Sequence, residues 1–148
     1  MTDQPVFLPM SMAEARALDI DRFDIILITG DAYVDHPSFG TALLGRVLID
    51  AGFSVGVIAQ PDWRSDADLR RLGTPRLFFS VSAGNVDSLV NAFTPNLKRR
   101  SSDAYSPGGR LLRPDRATLV YTDRVHALFP DAPIVIGEIG RASCRERV

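Results

Sequence analysis

The sequence predicts a three-layer α/β fold with a mainly parallel sheet of at least four strands. Short apolar segments and helical patterns alternate along the 148 residues. The apolar segments do not alternate with polar residues, which is typical of strands that are buried on both faces of a parallel sheet. We therefore expect a doubly wound, flavodoxin-like or Rossmann-like sheet of order 2-1-3-4 with right-handed crossovers.

The strands are predicted from β-rich apolar runs that end in glycine or other turn residues. They lie near residues 24–29, 54–59, 76–82 and 133–137. We expect the fourth strand to be an unprotected sheet edge, which would favour self-association.

Apolar residues at helical spacing predict long helices over 39–52 and 114–129, and shorter ones over 65–73 and 85–93. Gly52 fits the left-handed position after a helix end, and Ser65 fits an N-cap. Residues 94–112 are rich in proline, glycine and polar residues, and we expect a long loop without regular structure.

We divide the chain into an N-terminal segment (1–22), an α/β domain (23–137) and a tail (138–148). The net charge of -1 gives no overall field for nucleic acid. No apolar run approaches the roughly 20 residues of a membrane helix, and no secretory signal is visible. We expect a soluble cytoplasmic domain with no membrane partner. The single cysteine, Cys144, excludes an internal disulfide framework or a multi-cysteine cluster site within this chain.

Glycines and short polar residues follow the first and third predicted strands. In an open parallel sheet ligands bind beyond the carboxyl ends of the strands, where the strand order reverses. Both segments would flank that crevice, and they equally fit ordinary strand-to-helix turns. The candidate cofactor-binding residues are Gly30, Asp31, Tyr33, Asp35, His36, Gly40, Gly84, Asn85 and Asp87.

A histidine in this loop could ligate a metal or a corrin cobalt, with an aspartate orienting its ring. Cobalamin-binding modules typically carry Asp-x-His-x-x-Gly at this place. Here Asp35 is adjacent to His36, and three residues separate His36 from Gly40. Because the spacing fails, we predict no metal ligand and no cobalt ligation. Any corrin would be held by backbone and apolar groups. We identify no nucleophile with its base and no phosphate-binding motif, so no catalytic residue is predicted.

Residues 96–116 hold the one basic concentration of the chain. It could contact phosphate, RNA or an acidic surface, or it could be a solvated loop. The basic residues are Lys98, Arg99, Arg100, Arg110, Arg113 and Arg116, and the acidic residues in the same segment are Asp103 and Asp115.

Trp63 could cap the crevice or pack under a helix.

Several long segments resemble the N-terminal region of YgiQ family radical SAM proteins. Among them are "ITGDAYVDHPSFG", "VGVIAQPDW", "RLFFSVSAGNVDSLVNAFT" and "RPDRATLVY", in family order over residues 5–137. The resemblance implies a cobalamin-binding-like domain ahead of a radical SAM barrel. In that barrel three cysteines hold a four-iron, four-sulfur (4Fe-4S) cluster that cleaves S-adenosylmethionine. From Glu138 onward the sequence departs from the family pattern, and its ending resembles a truncated or chimeric terminus.

The resemblance implies an accessory domain that shapes a cofactor or substrate crevice of a longer enzyme. Its partners would be the remainder of that protein and a small-molecule or otherwise undefined substrate. Alone, the chain is expected to bind no cluster and to be inactive. A stand-alone ligand-binding or protein-interaction module is the alternative, and RNA contact through residues 96–116 is a third.

Overall fold

A computed structural model describes residues 7–137 as a four-stranded parallel sheet with helices on both faces. The order β2-β1-β3-β4 confirms the predicted topology. Ile25 of β1 lies opposite Val55 of β2 and Phe78 of β3. The strands are β1 (Ile25–Thr29), β2 (Val55–Ala59), β3 (Phe78–Ser82) and β4 (Ile134–Ile136).

The helices are shorter than the sequence patterns suggest. They are α1 (Met12–Ala17), α2 (Gly40–Asp50), α3 (Ala67–Arg70), α4 (Ser88–Ala92) and α5 (Ala117–Leu128), with a 3₁₀ turn over Pro107–Gly109. The N-cap of α3 is Asp66 and not Ser65. Helix α5 begins three residues after Pro114, at Ala117, whose N–H donates to the Ser88 hydroxyl at 3.3 Å. Gly52 takes the expected left-handed conformation, with φ at 93°.

Helix α1 was not predicted, although the sequence carries its start signal. The Ser11 hydroxyl accepts from the Glu14 N–H, and the Glu14 carboxylate accepts from the Ser11 N–H. This reciprocal capping box satisfies two amides that the first helical turn leaves without partners. The segment before it contacts β2, because the Val57 N–H donates to the Pro9 carbonyl at 2.9 Å.

Each face of the sheet has its own apolar cluster. Helices α3 and α5 cover one face, where Phe79, Tyr121 and Val125 are fully buried. Helix α2 and Leu8 cover the other face over β1 and β2. Burying one such aliphatic or aromatic side chain contributes roughly 1.5–3 kcal/mol relative to leaving it exposed. The helices on both faces confirm the three-layer arrangement.

Strand β4 is an edge strand of the described sheet, and Val135 and Ile136 are half exposed. Self-association through this edge stays a prediction. Within residues 7–137 no helix is both long and apolar enough to cross a membrane.

Gly30, directly after β1, lies against Ala83, directly after β3. A Cβ at this position would lie 2.1 Å from the Ala83 carbonyl oxygen, so Gly30→Ala must force the two strand ends apart. We expect it to lower the free energy of unfolding by about 2–3 kcal/mol, as overpacking does, measured by urea denaturation. Gly137→Ala is the control, since a Cβ there meets nothing within 4 Å. An equal, small effect of both substitutions would contradict the close approach.

Candidate functional site

The segments that follow β1 and β3 face each other across the carboxyl edge of the sheet. The Asn85 N–H donates to Asp31 Oδ2 at 2.6 Å. The Asn85 side chain accepts from the Gly40 N–H at 3.4 Å and donates to the Ser38 carbonyl at 3.2 Å. Asn85 therefore links the loop after β1 to the start of α2.

Gly84 allows this close contact. Its φ is 114°, and a Cβ at this position would lie 2.2 Å from Asp31 Oδ1. A side chain would be strained in this backbone conformation and would collide with the carboxylate. Glycine at position 84 is thus required by both the backbone and the neighbouring carboxylate.

Arg113 crosses the same edge as a buried guanidinium between Asp31 and Asp103. Its Nη2 group donates to Asp31 Oδ1 at 3.0 Å, and its Nε donates to Asp103 Oδ2 at 3.2 Å. Its Nη1 group donates to the Ala83 carbonyl at 2.8 Å. The planar fork of arginine suits such simultaneous contacts. Arg113 is only 7% exposed, so the contacts are shielded from water.

The loop over residues 94–112 is anchored on this ion-pair cluster. The Ser106 hydroxyl donates to Asp103 Oδ2 at 2.9 Å, and the Gln60 amide donates to the Ser106 hydroxyl and to the Gly30 carbonyl. The Ala32 N–H donates to the Tyr105 carbonyl at 2.9 Å. The loop contains a 3₁₀ turn, and its Arg99 forms an isolated bridge with Phe93.

The pKa values of the two aspartates shift in opposite directions. Burial raises the pKa of Asp31, in spite of the Asn85 N–H and the positive charge of Arg113. Burial also acts to raise the pKa of Asp103, but the Tyr105 N–H, the Ser106 hydroxyl and Arg113 together lower it. Burial raises the pKa of the nearby Tyr121 phenol, whose oxygen has no hydrogen-bond partner within the described residues.

The position of Arg113 corrects the grouping of the basic residues. The sequence pattern groups this guanidinium with the other charges of the loop, but the side chain lies in the interior, where two buried carboxylates and backbone carbonyls bind it. Arg99 makes a bidentate ion pair with Asp115 at 2.8 and 2.9 Å. Lys98, Arg100, Arg110 and Arg116 are exposed. Because Asp103 is buried together with Arg113, the net surface charge of this loop is unchanged. RNA contact through it stays a prediction.

Four of the other candidate residues hold the local structure together. The Tyr33 hydroxyl accepts from the Leu8 N–H and donates to Asp35, which forms an ion pair with Arg46 at 2.6 Å. Asp87 caps α4 by accepting from the Leu89 N–H at 2.9 Å. His36 is exposed, and its Nδ1 accepts from the Ser38 N–H at 3.1 Å.

An open groove of about 400 Å³ runs from the carboxyl edge down the sheet between α2 and β3, and we call it the α2 groove. Of the candidate residues, Asp31, Tyr33, Gly40, Gly84 and Asn85 line it, whereas Gly30, Asp35, His36 and Asp87 do not. Trp63 does not line it either and packs against the core on the opposite face. The other residues that line the α2 groove are Leu27, Ile28, Ala32, Val34, Phe39, Thr41, Leu43, Leu44, Val47, Ser80, Ser82 and Gly137.

The groove thus has a polar end and an apolar length. Asp31, Asn85 and the first residues of α2 form the polar end at the carboxyl edge, and aliphatic side chains of α2 form one long wall. Among the described residues no group of three or more histidine, cysteine, aspartate or glutamate side chains could hold a metal ion.

Comparison with known proteins places the chain in a family. A family model described as "Radical SAM N-terminal" matches residues 7–148. The chain belongs to this family. No solved structure matches it significantly.

The radical SAM N-terminal domain described here is also similar to curated UPF0313 proteins. It is 60% identical over 134 residues to one from Methanosarcina acetivorans, and this matched stretch covers 90% of this chain and 18% of that protein. It is 56% identical over 133 residues to one from Thermotoga petrophila, covering 89% of this chain and 24% of that protein. One from Pseudomonas aeruginosa is 55% identical over 134 residues, and the match covers 90% of this chain and 18% of that protein. The chain therefore spans about a fifth of the length of these relatives, and the YgiQ family resemblance is confirmed.

Sequence reasoning missed the residues that hold the site of this radical SAM N-terminal domain together. Gln60 and Ser106 are not among the candidate residues, and the sequence pattern groups Asp103 and Arg113 only with the charged residues of the loop. Their contacts join residues far apart in the chain, such as Asp31 and Arg113, 82 positions apart. A lone arginine in a polar loop gives no local signal of such burial.

Arg113→Met tests the ion-pair cluster. Removing the guanidinium leaves two buried carboxylates unpaired, and we expect a loss of about 3–5 kcal/mol in the free energy of unfolding near neutral pH. The loss should shrink on acidification. Asp31 already has a folded pKa above the unfolded value, and removing the positive charge of Arg113 raises that pKa further, so the variant loses stability as pH rises through it.

Urea unfolding followed by Trp63 fluorescence at several pH values measures this effect. Arg110→Met is the matched control, because Arg110 is an exposed arginine of the same loop. Equal losses in both variants, or a loss for Arg113→Met that does not change with pH, would contradict the buried cluster.

His36→Ala tests whether the imidazole binds cobalt. His36 lies outside the α2 groove, and its spacing departs from the cobalamin motif. We expect titration with hydroxocobalamin to give the same corrin absorption spectrum for His36→Ala and the parent. A shift of the corrin bands that disappears in His36→Ala would show that the imidazole is a ligand.

Proposed function

We propose that this chain is the N-terminal accessory domain of a radical SAM enzyme of the YgiQ family. In this proposal the carboxyl-edge crevice forms one wall of the cofactor or substrate site of the longer protein. The observation that carries the proposal is the family match from residue 7 to the end of the chain, with relatives at 55–60% identity that are several times longer. The domain itself performs no radical chemistry.

The residues present do not fit a 4Fe-4S cluster. Such a cluster in radical SAM proteins is held by cysteine thiolates. This sequence has one cysteine, Cys144, which lies outside the described residues. In the proposal the cluster and S-adenosylmethionine are therefore held by the remainder of the longer protein. When bound there, the cluster supplies the electron that cleaves S-adenosylmethionine.

The role of this domain is to position and to shield. The Arg113 cluster fixes the ends of β1 and β3, so the polar end of the α2 groove is preorganised and needs little rearrangement on binding. The aliphatic wall of α2 makes the groove beside it apolar along its length. Helix α2 has no side-chain N-cap bond, and the Asn85 amide lies at its first turn. A polar group of a ligand would find hydrogen-bonding partners at this end.

The test uses the full-length protein that contains this domain. Purified without oxygen and reconstituted with iron and sulfide, it should bind a 4Fe-4S cluster. After reduction it should convert S-adenosylmethionine to methionine and 5′-deoxyadenosine, measured by chromatography. The isolated chain, treated in the same way, is the control and should do neither. A full-length protein that takes up no cluster would overturn the proposal in favour of a stand-alone binding module.

A further inference from the structure

The two faces of the sheet are covered unequally. All five residues of β1 are buried, whereas in β3 only alternate residues are. The buried residues of β3, Phe79 and Val81, face α5. The half-buried ones, Phe78, Ser80 and Ser82, face the α2 side, and so does Val135 of β4, which lies opposite Ser80. Within residues 7–137, nothing therefore covers the α2 side of β3 and β4 completely.

The neighbouring flank of α2 is apolar and exposed. Leu43, Leu44 and Val47 are 49%, 45% and 57% exposed, and all three line the α2 groove. These side chains lie beside the uncovered strands, so the apolar wall of α2 and the incompletely buried floor of the sheet form one open surface. Such surfaces in soluble proteins mark contacts with another chain or segment.

The width of the uncovered sheet fits one helix. Strands in a sheet are spaced about 4.8 Å apart, so β3 and β4 together present a strip about 10 Å wide. An α-helix with its side chains is about 10–12 Å across. One helix laid beside α2 would therefore cover both strands. The small Ser80 and Ser82 side chains leave it room to approach the sheet.

The handedness rule shows where such a helix must come from. The crossover from β3 to β4 runs through α5, on the face opposite α2. A further strand added beside β4 would be reached by a right-handed crossover on that same face. A helix on the α2 face would therefore have to come from a segment later in the longer protein, because the next crossover lies on the other face.

We propose that an apolar helix of the polypeptide that follows this domain in its longer relatives packs in the α2 groove. It closes the groove along its apolar length and leaves the polar end at Asp31 and Asn85 as the opening. The inference rests on the proposed function in one respect, which is that the partner segment belongs to the same longer protein. The relatives supply such a segment, since the shared stretch is 18–24% of their length and its family model is N-terminal.

A segment of the same chain is favoured over a second copy. A tethered segment is present at an effective concentration in the millimolar range, far above the concentration of a free second protein.

Thiol labelling of the full-length protein tests the inference. Val47→Cys places a thiol in the groove, and Leu119→Cys places one on the outer side of α5, with parent side chains that are 57% and 56% exposed. Each variant is reacted with N-ethylmaleimide, and the modified peptide is quantified by mass spectrometry, which separates these thiols from all others. We expect Val47→Cys to react at least tenfold more slowly than Leu119→Cys in the folded protein and equally fast in urea.

Equal rates in the folded full-length protein would overturn the inference. Protection of Val47→Cys that disappears on dilution would also overturn it, because that result assigns the groove to a second copy. A second variant combines Leu44→Lys with Val47→Cys and so places a charge against the docked helix. We expect fast labelling of the Val47→Cys thiol in this variant, and continued protection would contradict an apolar contact. Labelling requires neither cluster nor S-adenosylmethionine, so protection without a cluster would refute only the proposed function.

Discussion

The carboxyl edge of this domain depends on one buried guanidinium. Arg113 binds the loop after β1 through Asp31, the loop before α5 through Asp103, and the end of β3 through the Ala83 carbonyl. Taking charges out of water is costly, and the cost is offset only when every partner is well placed. Because the partners come from distant parts of the chain, the cluster exists only in the folded domain.

This cluster separates a filled side of the crevice from an open one. On the filled side Gln60, Ser106 and Asp103 hold the loop over residues 94–112 against the ends of β1 and β2. On the open side the α2 groove starts at Asp31 and Asn85 and continues along α2. Asp31, Asp103 and Arg113 are hydrogen-bonded to one another or to neighbouring residues of the domain. The apolar side chains on the flank of α2 are exposed among the described residues. The surface that lacks a partner in this domain is therefore the apolar one.

The two proposals assign different ends of the same groove. The polar end is suited to a ligand, because hydrogen-bonding groups converge there on a rigid frame. The apolar length is suited to a helix, because its width matches one helix and its wall is aliphatic. A docked helix would convert an open groove into a pocket with a single mouth. Ligand binding in the crevice would then depend on how the domain joins the rest of the longer protein.

The sequence by itself determined the strand order, the parallel sheet and the family. Local apolar runs and helical spacing specify strands and helices, and right-handed crossovers leave few ways to connect them. It also placed Asp31 and Asn85 across the crevice, because the ends of neighbouring parallel strands meet at one edge. Only the tertiary structure decided that Arg113 is buried, that His36 points outside the groove, and that α2 has an uncovered flank. Each of these depends on contacts between residues far apart in the chain, which no local pattern records.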